Sequence, residues 1–162
     1  MALTPFLEEV AENELRIVRT QLFPDRWRHF CDQYNLVWQY TPFEREHVQH
    51  ISTDPGVYCF HVGHALDCLP PLGLSLYGGI ATQALRTRCL RYFWEKDADQ
   101  GRLHVRKFLQ VFEGELTLGW SEVDTETINL KTLEKDFNDA MMPQYSVKDF
   151  SAAVRAARNA WP

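Results

Sequence analysis

The chain has 162 residues, 45% of them hydrophobic and 13% aromatic, with a formal charge of −5. That mass is enough for one domain with an apolar core and too little for a second full one, and the aromatic content excludes a disordered chain. No segment approaches the roughly 18 apolar residues of a membrane span, and the N-terminus lacks the basic and apolar runs of a secretory leader, so the expectation is a soluble, cytoplasmic protein with no membrane partner. Cysteines 31, 59, 68 and 89 form no Cys-x-x-Cys spacing and are expected to be reduced and mostly buried.

An acidic chain argues against nucleic acid until the distribution is examined. Residues 85–107 carry seven Lys/Arg against three acids, whereas residues 1–50 and 109–162 carry net charges of −3 and −4. A basic lobe between acidic flanks can form a charged groove, or simply a solvated helix face.

In chain order, Phe6, Leu7, Val10, Leu15, Val18 and Leu22 follow a broadly helical pattern behind Thr4 and Pro5, predicting a helix from Thr4 to about Gln21. Asp25 can cap a second helix with Trp27, Phe30, Cys31 and Tyr34 inward. Residues 35–41 are short and β-prone, and Thr41-Pro42-Phe43-Glu44 has the form of another capped start. Asp54-Pro55-Gly56 is a turn. Val57 to Val62 reads as a buried strand and Leu74 to Tyr77 as its antiparallel partner, ending in two glycines, with Gly63 to Gly73 as a protruding loop.

Residues 82–95 then alternate apolar and basic at helical spacing, and Val105, Phe108, Leu109 and Phe112 sit at i, i+3, i+4 and i+7 of a further helix. Leu116 to Trp120 reads as a third strand. Ile128, Leu130, Leu133, Phe137, Ala140 and Met141 mark a helix that Pro143 ends, and a last helix is expected from about Val147. These elements predict an α/β (α+β) domain over residues 51–162, a three-stranded antiparallel sheet flanked by helices. An N-terminal helical extension, residues 1–50, packs on it.

Chemistry concentrates in three pieces: Gly56-Val57-Tyr58; Tyr77-Gly78-Gly79 leading to Arg88 and Tyr92; and Glu134 ahead of Pro143. An arginine can grip a phosphate through two hydrogen bonds, and a carboxylate can supply Mg²⁺ with one oxygen ligand. A phenol, with an ordinary pKa of about 10, can act as a base only beside a cation or a second base. On these residues and their order, the span from about 55 to 146 resembles the GIY-YIG nuclease family. Three positions depart from the family pattern: Ile80 stands where many members have lysine, Ser146 where asparagine is usual, and Gly78 where a branched residue is usual.

The resemblance implies a divalent-metal-dependent endonuclease acting on DNA or RNA. Tyr58, helped by Tyr77, would activate water. Arg88 would steady the scissile phosphate, Tyr92 would orient the phosphate or leaving group, and Glu134 would hold Mg²⁺ or Mn²⁺. Gly79, Arg86, Arg91, Arg106, Lys107 and Ser146 would contact nucleic acid. His61 or His104 could stand in as an auxiliary base for the missing lysine, and Cys59, His61, His64 and Cys68 raise a zinc reading that matches no standard ligand spacing. The alternatives are a degenerate module that binds nucleic acid without cutting it, and a domain that binds a protein through its acidic N-terminal helices. Those helices also offer a homodimer surface.

Overall fold

The computed structural model describes residues 12, 14–19, 23–64, 72–98 and 101–160, without the side chains of His64 and Leu72. Most of the helix expected over Thr4–Gln21 lies outside them; of its described residues, Glu12, Glu14 and Leu15 are helical and Ile17–Arg19 are not. The described elements are α1 (Pro24–Tyr34), β1 (Gln39–Pro42), α2 (Arg45–Val48), β2 (Gly56–His64), β3 (Leu72–Ala81), α3 (Leu85–Asp97), α4 (Leu103–Val111), β4 (Leu116–Glu122), α5 (Leu130–Met141) and α6 (Ala152–Asn159).

The fold is α+β around a four-stranded antiparallel sheet in the order β1-β4-β2-β3. This corrects the expectation of three strands. The additional strand is β1, which pairs Gln39 to Trp120 and Pro42 to Thr117. The β-prone character of residues 35–41 foreshadows it, but a four-residue, mostly exposed segment ending in proline, a residue tolerated only at a sheet edge or strand end, gives no sign of its pairing. The N-terminal fifty residues thus contribute a strand to the sheet as well as helices.

The second correction concerns β3, which does not stop at the glycine pair but runs on to Ala81, with Gly78 opposite Cys59 and Gly79 opposite Tyr58. A register shift at Phe60/His61 bends the β2–β3 ladder. Gly63 and Gly73, expected as the ends of a loop, pair with each other in the ladder, which continues to His64 and Leu72.

Strand alternation divides the core between the two sheet faces. On one face Tyr58, Phe60, Leu76, Tyr77, Leu118 and Trp120 pack under α3 and α4, through Leu85, Cys89, Tyr92, Val105 and Phe108. On the other, Val57 and Cys59 lie under α5 and α1, through Leu133, Phe137 and Phe30. Trp27 and Phe30 stack on each other and both meet Phe137 edge-on. The apolar side of α1 thus packs within the chain. Cys59 and Cys89 are buried free thiols, but Cys31 is exposed, because the helix turns it away from Phe137.

Gly56 has a steric reason to be glycine. A Cβ there would lie 2.2 Å from the Ser121 carbonyl oxygen and 2.7 Å from Leu85 Cδ1. The Ser121 oxygen belongs to the neighbouring strand and cannot step aside. Gly56→Ala is expected to lower unfolding free energy by about 3 kcal/mol, measured by urea denaturation.

No helix among the described residues is long and apolar enough to cross a membrane.

Candidate active site

Antiparallel pairing of Tyr58 with Gly79 and of Phe60 with Tyr77 puts both motif tyrosines on the α3/α4 face. Helical spacing puts Arg88 and Tyr92 one turn apart on α3, directly above them. The result is a connected cluster. The Tyr58 and Tyr92 hydroxyls lie 2.6 Å apart, and Arg88 Nε donates to the Tyr58 oxygen at 3.0 Å. The Arg88 guanidinium also sits over the Tyr92 ring at 5.3 Å.

Gly79 completes this arrangement by absence of bulk. A Cβ at position 79 would be 2.6 Å from the Tyr58 hydroxyl oxygen, so the bare backbone lets the phenol reach the sheet edge.

Tyr77 joins through a residue that the sequence reading placed only within the basic lobe. Arg102, just before α4, donates from Nη1 to the Tyr77 hydroxyl at 2.8 Å, while Nη2 contacts both Glu95 carboxylate oxygens at 3.0 and 2.8 Å. Its guanidinium lies 5.7 Å from the Tyr77 ring centre and 5.5 Å from that of Tyr92. Two arginines thus flank three tyrosines. Nothing local in the sequence pairs Arg102 with Tyr77, twenty-five positions earlier; only the packing of α3 on α4 brings them together.

Glu134 lies on α5, which packs on the sheet face opposite α3 and α4. The backbone N–H of Ile80 and the charge of Arg88 nonetheless act on its carboxyl, each lowering its pKa. Partial burial and then the nearby Asp149 push its pKa up to about 7, against the smaller downward pulls of Ile80 and Arg88. The carboxyl therefore titrates well above the ordinary carboxylate range. The α5 N-terminus is fixed by Asn129, whose side chain accepts from Thr132 N at 3.0 Å.

The Tyr58 and Tyr92 hydroxyls do not become phenolates in this setting. Tyr58 is fully buried and its pKa is raised, by desolvation first and Tyr77 second; Arg88 and the bond to Tyr92 pull the other way and are outweighed. Tyr92 is likewise raised, by desolvation and by Tyr58 and Tyr77. Arg88 loses water on burial, but its partnership with the two tyrosines prevails and its pKa ends raised. Arg88 lowers the Tyr58 pKa, but without a metal ion burial is the larger effect.

The remaining residues divide. Arg88 and Arg91 line an open groove of about 290 Å³ together with Ile80, Thr82, Gln83 and Thr87. Arg86 instead donates from Nε to the Ile51 carbonyl at 2.9 Å, and Arg106 from Nη1 to the Ala98 carbonyl at 2.9 Å; both tie loops to helices. Lys107 is exposed on α4. Ser146 is buried, and its hydroxyl accepts from Gly78 N at 3.1 Å. With Tyr145 N donating to the Leu76 carbonyl at 2.8 Å, it closes the outer edge of β3.

Of the two candidate auxiliary histidines, His104 lies near Tyr77, ring centres 6.5 Å apart, and burial followed by Arg102 and Lys148 lowers its pKa. His61 is on the opposite sheet face, paired with Thr117 and Ser75. In the zinc reading, Cys59 Sγ and His61 Nδ1 lie 3.9 Å apart, and Cys68 and the His64 side chain fall outside the described residues. Glu44, Glu46 and His47 form an exposed acidic group on α2, a common surface feature.

No protein-family model matches the chain, and no curated protein or solved structure matches it either.

Proposed function

We propose that the chain is a divalent-metal-dependent nuclease of the GIY-YIG type, hydrolysing a phosphodiester in the groove between β3 and α3. What supports this reading is the Tyr58–Tyr92–Arg88 cluster beside the groove that Arg88 and Arg91 line, with the Glu134 carboxyl near enough for the Arg88 charge and the Ile80 N–H to lower its pKa. Arg88 binds the phosphate from the groove and stabilises the charge that grows on it during attack. Arg102 is a positioning residue: it keeps the Tyr77 hydroxyl fixed and is itself held by Glu95.

Glu134 suits Mg²⁺ or Mn²⁺, because hard cations take one or two carboxylates and fill their remaining positions with water and phosphate oxygens. The repulsion from Asp149 that raises its pKa is the kind of effect a cation relieves. When bound, the metal supplies Lewis-acid stabilisation of the phosphate and a more acidic water.

The buried phenols act in this reading as protonated, hydrogen-bonding groups that orient the phosphate and water. His104, neutral near pH 7 and close to Tyr77, is the imidazole placed to take a proton.

The test is cleavage of single- and double-stranded DNA and RNA with Mg²⁺ or Mn²⁺ and an EDTA control. Metal-dependent cleavage lost in Glu134→Ala is expected; cleavage that survives this substitution would sink the assignment. For Arg102→Lys, which keeps the charge but not the fork shared between Glu95 and Tyr77, kcat is expected to fall about tenfold with KM little changed. Its thermal midpoint is expected to stay close to that of the parent chain.

One observation favours a second reading, a module that binds nucleic acid without cutting it. Tyr58 and Tyr92 are both fully buried and held protonated, and the groove keeps two arginines whatever their state. That module would show salt-sensitive binding and no metal-dependent cleavage.

A further inference from the structure

A second hollow, of about 170 Å³, opens on the other face of the sheet. Its floor is β2 and β3, through Cys59, His61, Gly73 and Ser75, and its walls are aromatic: Trp27 from α1, Trp38 and Tyr40 from β1 and the segment before it, and Phe137 from α5. We propose that this hollow binds a neutral, single-ring heteroaromatic group, of the class of a pyrimidine base. The inference goes beyond the phosphodiester reading and does not depend on it.

Charge narrows the ligand first. Among the described residues no carboxylate, lysine or arginine lines the hollow, so a phosphate is not matched; the aromatic walls alone would also suit a quaternary ammonium, and the buried Ser75 hydroxyl is what favours a ring that hydrogen-bonds. Burial lowers the pKa of His61, which keeps the imidazole neutral at pH 7 with one donor and one acceptor nitrogen.

Size narrows it further. A cavity of about 150 Å³ is enough to hold benzene, so 170 Å³ suits one substituted ring and is tight for a fused pair.

The walls are then suited to stacking. Trp38 and Phe137 have ring centres 5.5 Å apart, and Tyr40 meets His61 edge-on at 5.5 Å. Tyr40 nonetheless leaves 60% of its surface exposed at the mouth, where a planar ligand would cover it; base–aromatic stacking contributes about 1–3 kcal/mol per base.

A polar signal points the same way. The Ser75 hydroxyl oxygen is buried in the floor and has no hydrogen-bond partner among the described residues. Such a group costs about 1–3 kcal/mol unless something pairs with it. A pyrimidine ring carries donors and acceptors in its own plane, so stacking on the walls brings its edge to Ser75 and His61.

The experiment is saturation-transfer NMR and calorimetric titration of the full chain with uridine in metal-free buffer, with adenosine, choline and ribose 5-phosphate as comparisons. Uridine is expected to bind saturably in the millimolar range, with choline and ribose 5-phosphate silent and adenosine weaker. Ser75→Ala and Tyr40→Ala, each checked for folding by its thermal midpoint, are expected to weaken uridine about tenfold. The proposal is overturned by a folded chain that does not bind uridine, by adenosine or choline binding as well as uridine, or by uridine binding that neither substitution changes. Because no metal is present, a failed cleavage assay leaves this result intact, and the converse also holds.

Discussion

Arg88→Ala is expected to lower metal-dependent cleavage by about 10²–10³-fold, the usual effect of removing one donor aimed at developing charge. Folding should change far less. The arginine is only half-buried, and its removal leaves the Tyr58 and Tyr92 hydroxyls bonded to each other at 2.6 Å, so no buried polar group is stranded and the stability cost is about 1 kcal/mol. Arg88→Lys separates charge from shape. A lysine keeps a cation in the groove but cannot donate to Tyr58 and grip a phosphate from one planar fork, so cleavage should recover little while nucleic-acid affinity recovers more. Steady-state cleavage beside a binding titration at two salt concentrations measures both.

The second large effect is a dependence on pH carried by Glu134. In the unfolded chain this carboxyl has its ordinary pKa of 4.5; in the folded chain it is raised to about 7. The folded state therefore holds a proton that the unfolded state has released across that interval, and stability falls as pH rises from 4.5 to 7 and stays lower above it. Glu134→Gln removes the ionisation without changing shape. It should match the parent chain near pH 4 and exceed it near pH 8 by about 1–2 kcal/mol, a figure reduced from the full shift because the side chain is only partly buried. Thermal melts at the two pH values read this directly. Adding Mn²⁺ should raise the midpoint of the parent chain at pH 8, where the carboxylate is ionised, and leave that of Glu134→Gln unmoved. A parent chain that gains nothing from Mn²⁺ would remove Glu134 as a metal ligand.

The parts of this fold that were legible from sequence are those set by local periodicity. The i, i+3, i+4 pattern of Val105, Phe108 and Leu109 faces the core as expected, and the apolar run from Val57 to Val62 is a central strand. The pairing of Arg88 with Tyr92 was also legible, since one helical turn separates them. Long-range relations were not. The glycines of β3 suggested a strand end, whereas Gly79 is where the ring of Tyr58 crosses the neighbouring strand. Arg102 reaches Tyr77 only because α4 folds back along α3. Above all, motif order carries no information on desolvation, and it is desolvation that keeps Tyr58 and Tyr92 protonated and lifts the Glu134 carboxyl.

The pairing of β1 with β4 also has a temporal side. Gln39 bonds opposite Trp120, and β4 in turn separates β1 from β2. During synthesis at about 5–20 residues per second, the β1 segment emerges several seconds before β4, its strand partner among the described residues, does. Until then its aromatic neighbours Trp38 and Tyr40 have no sheet to join. Early steps during synthesis therefore rely on the local β2–β3 hairpin and α3, and β1 joins the sheet only once β4 has emerged.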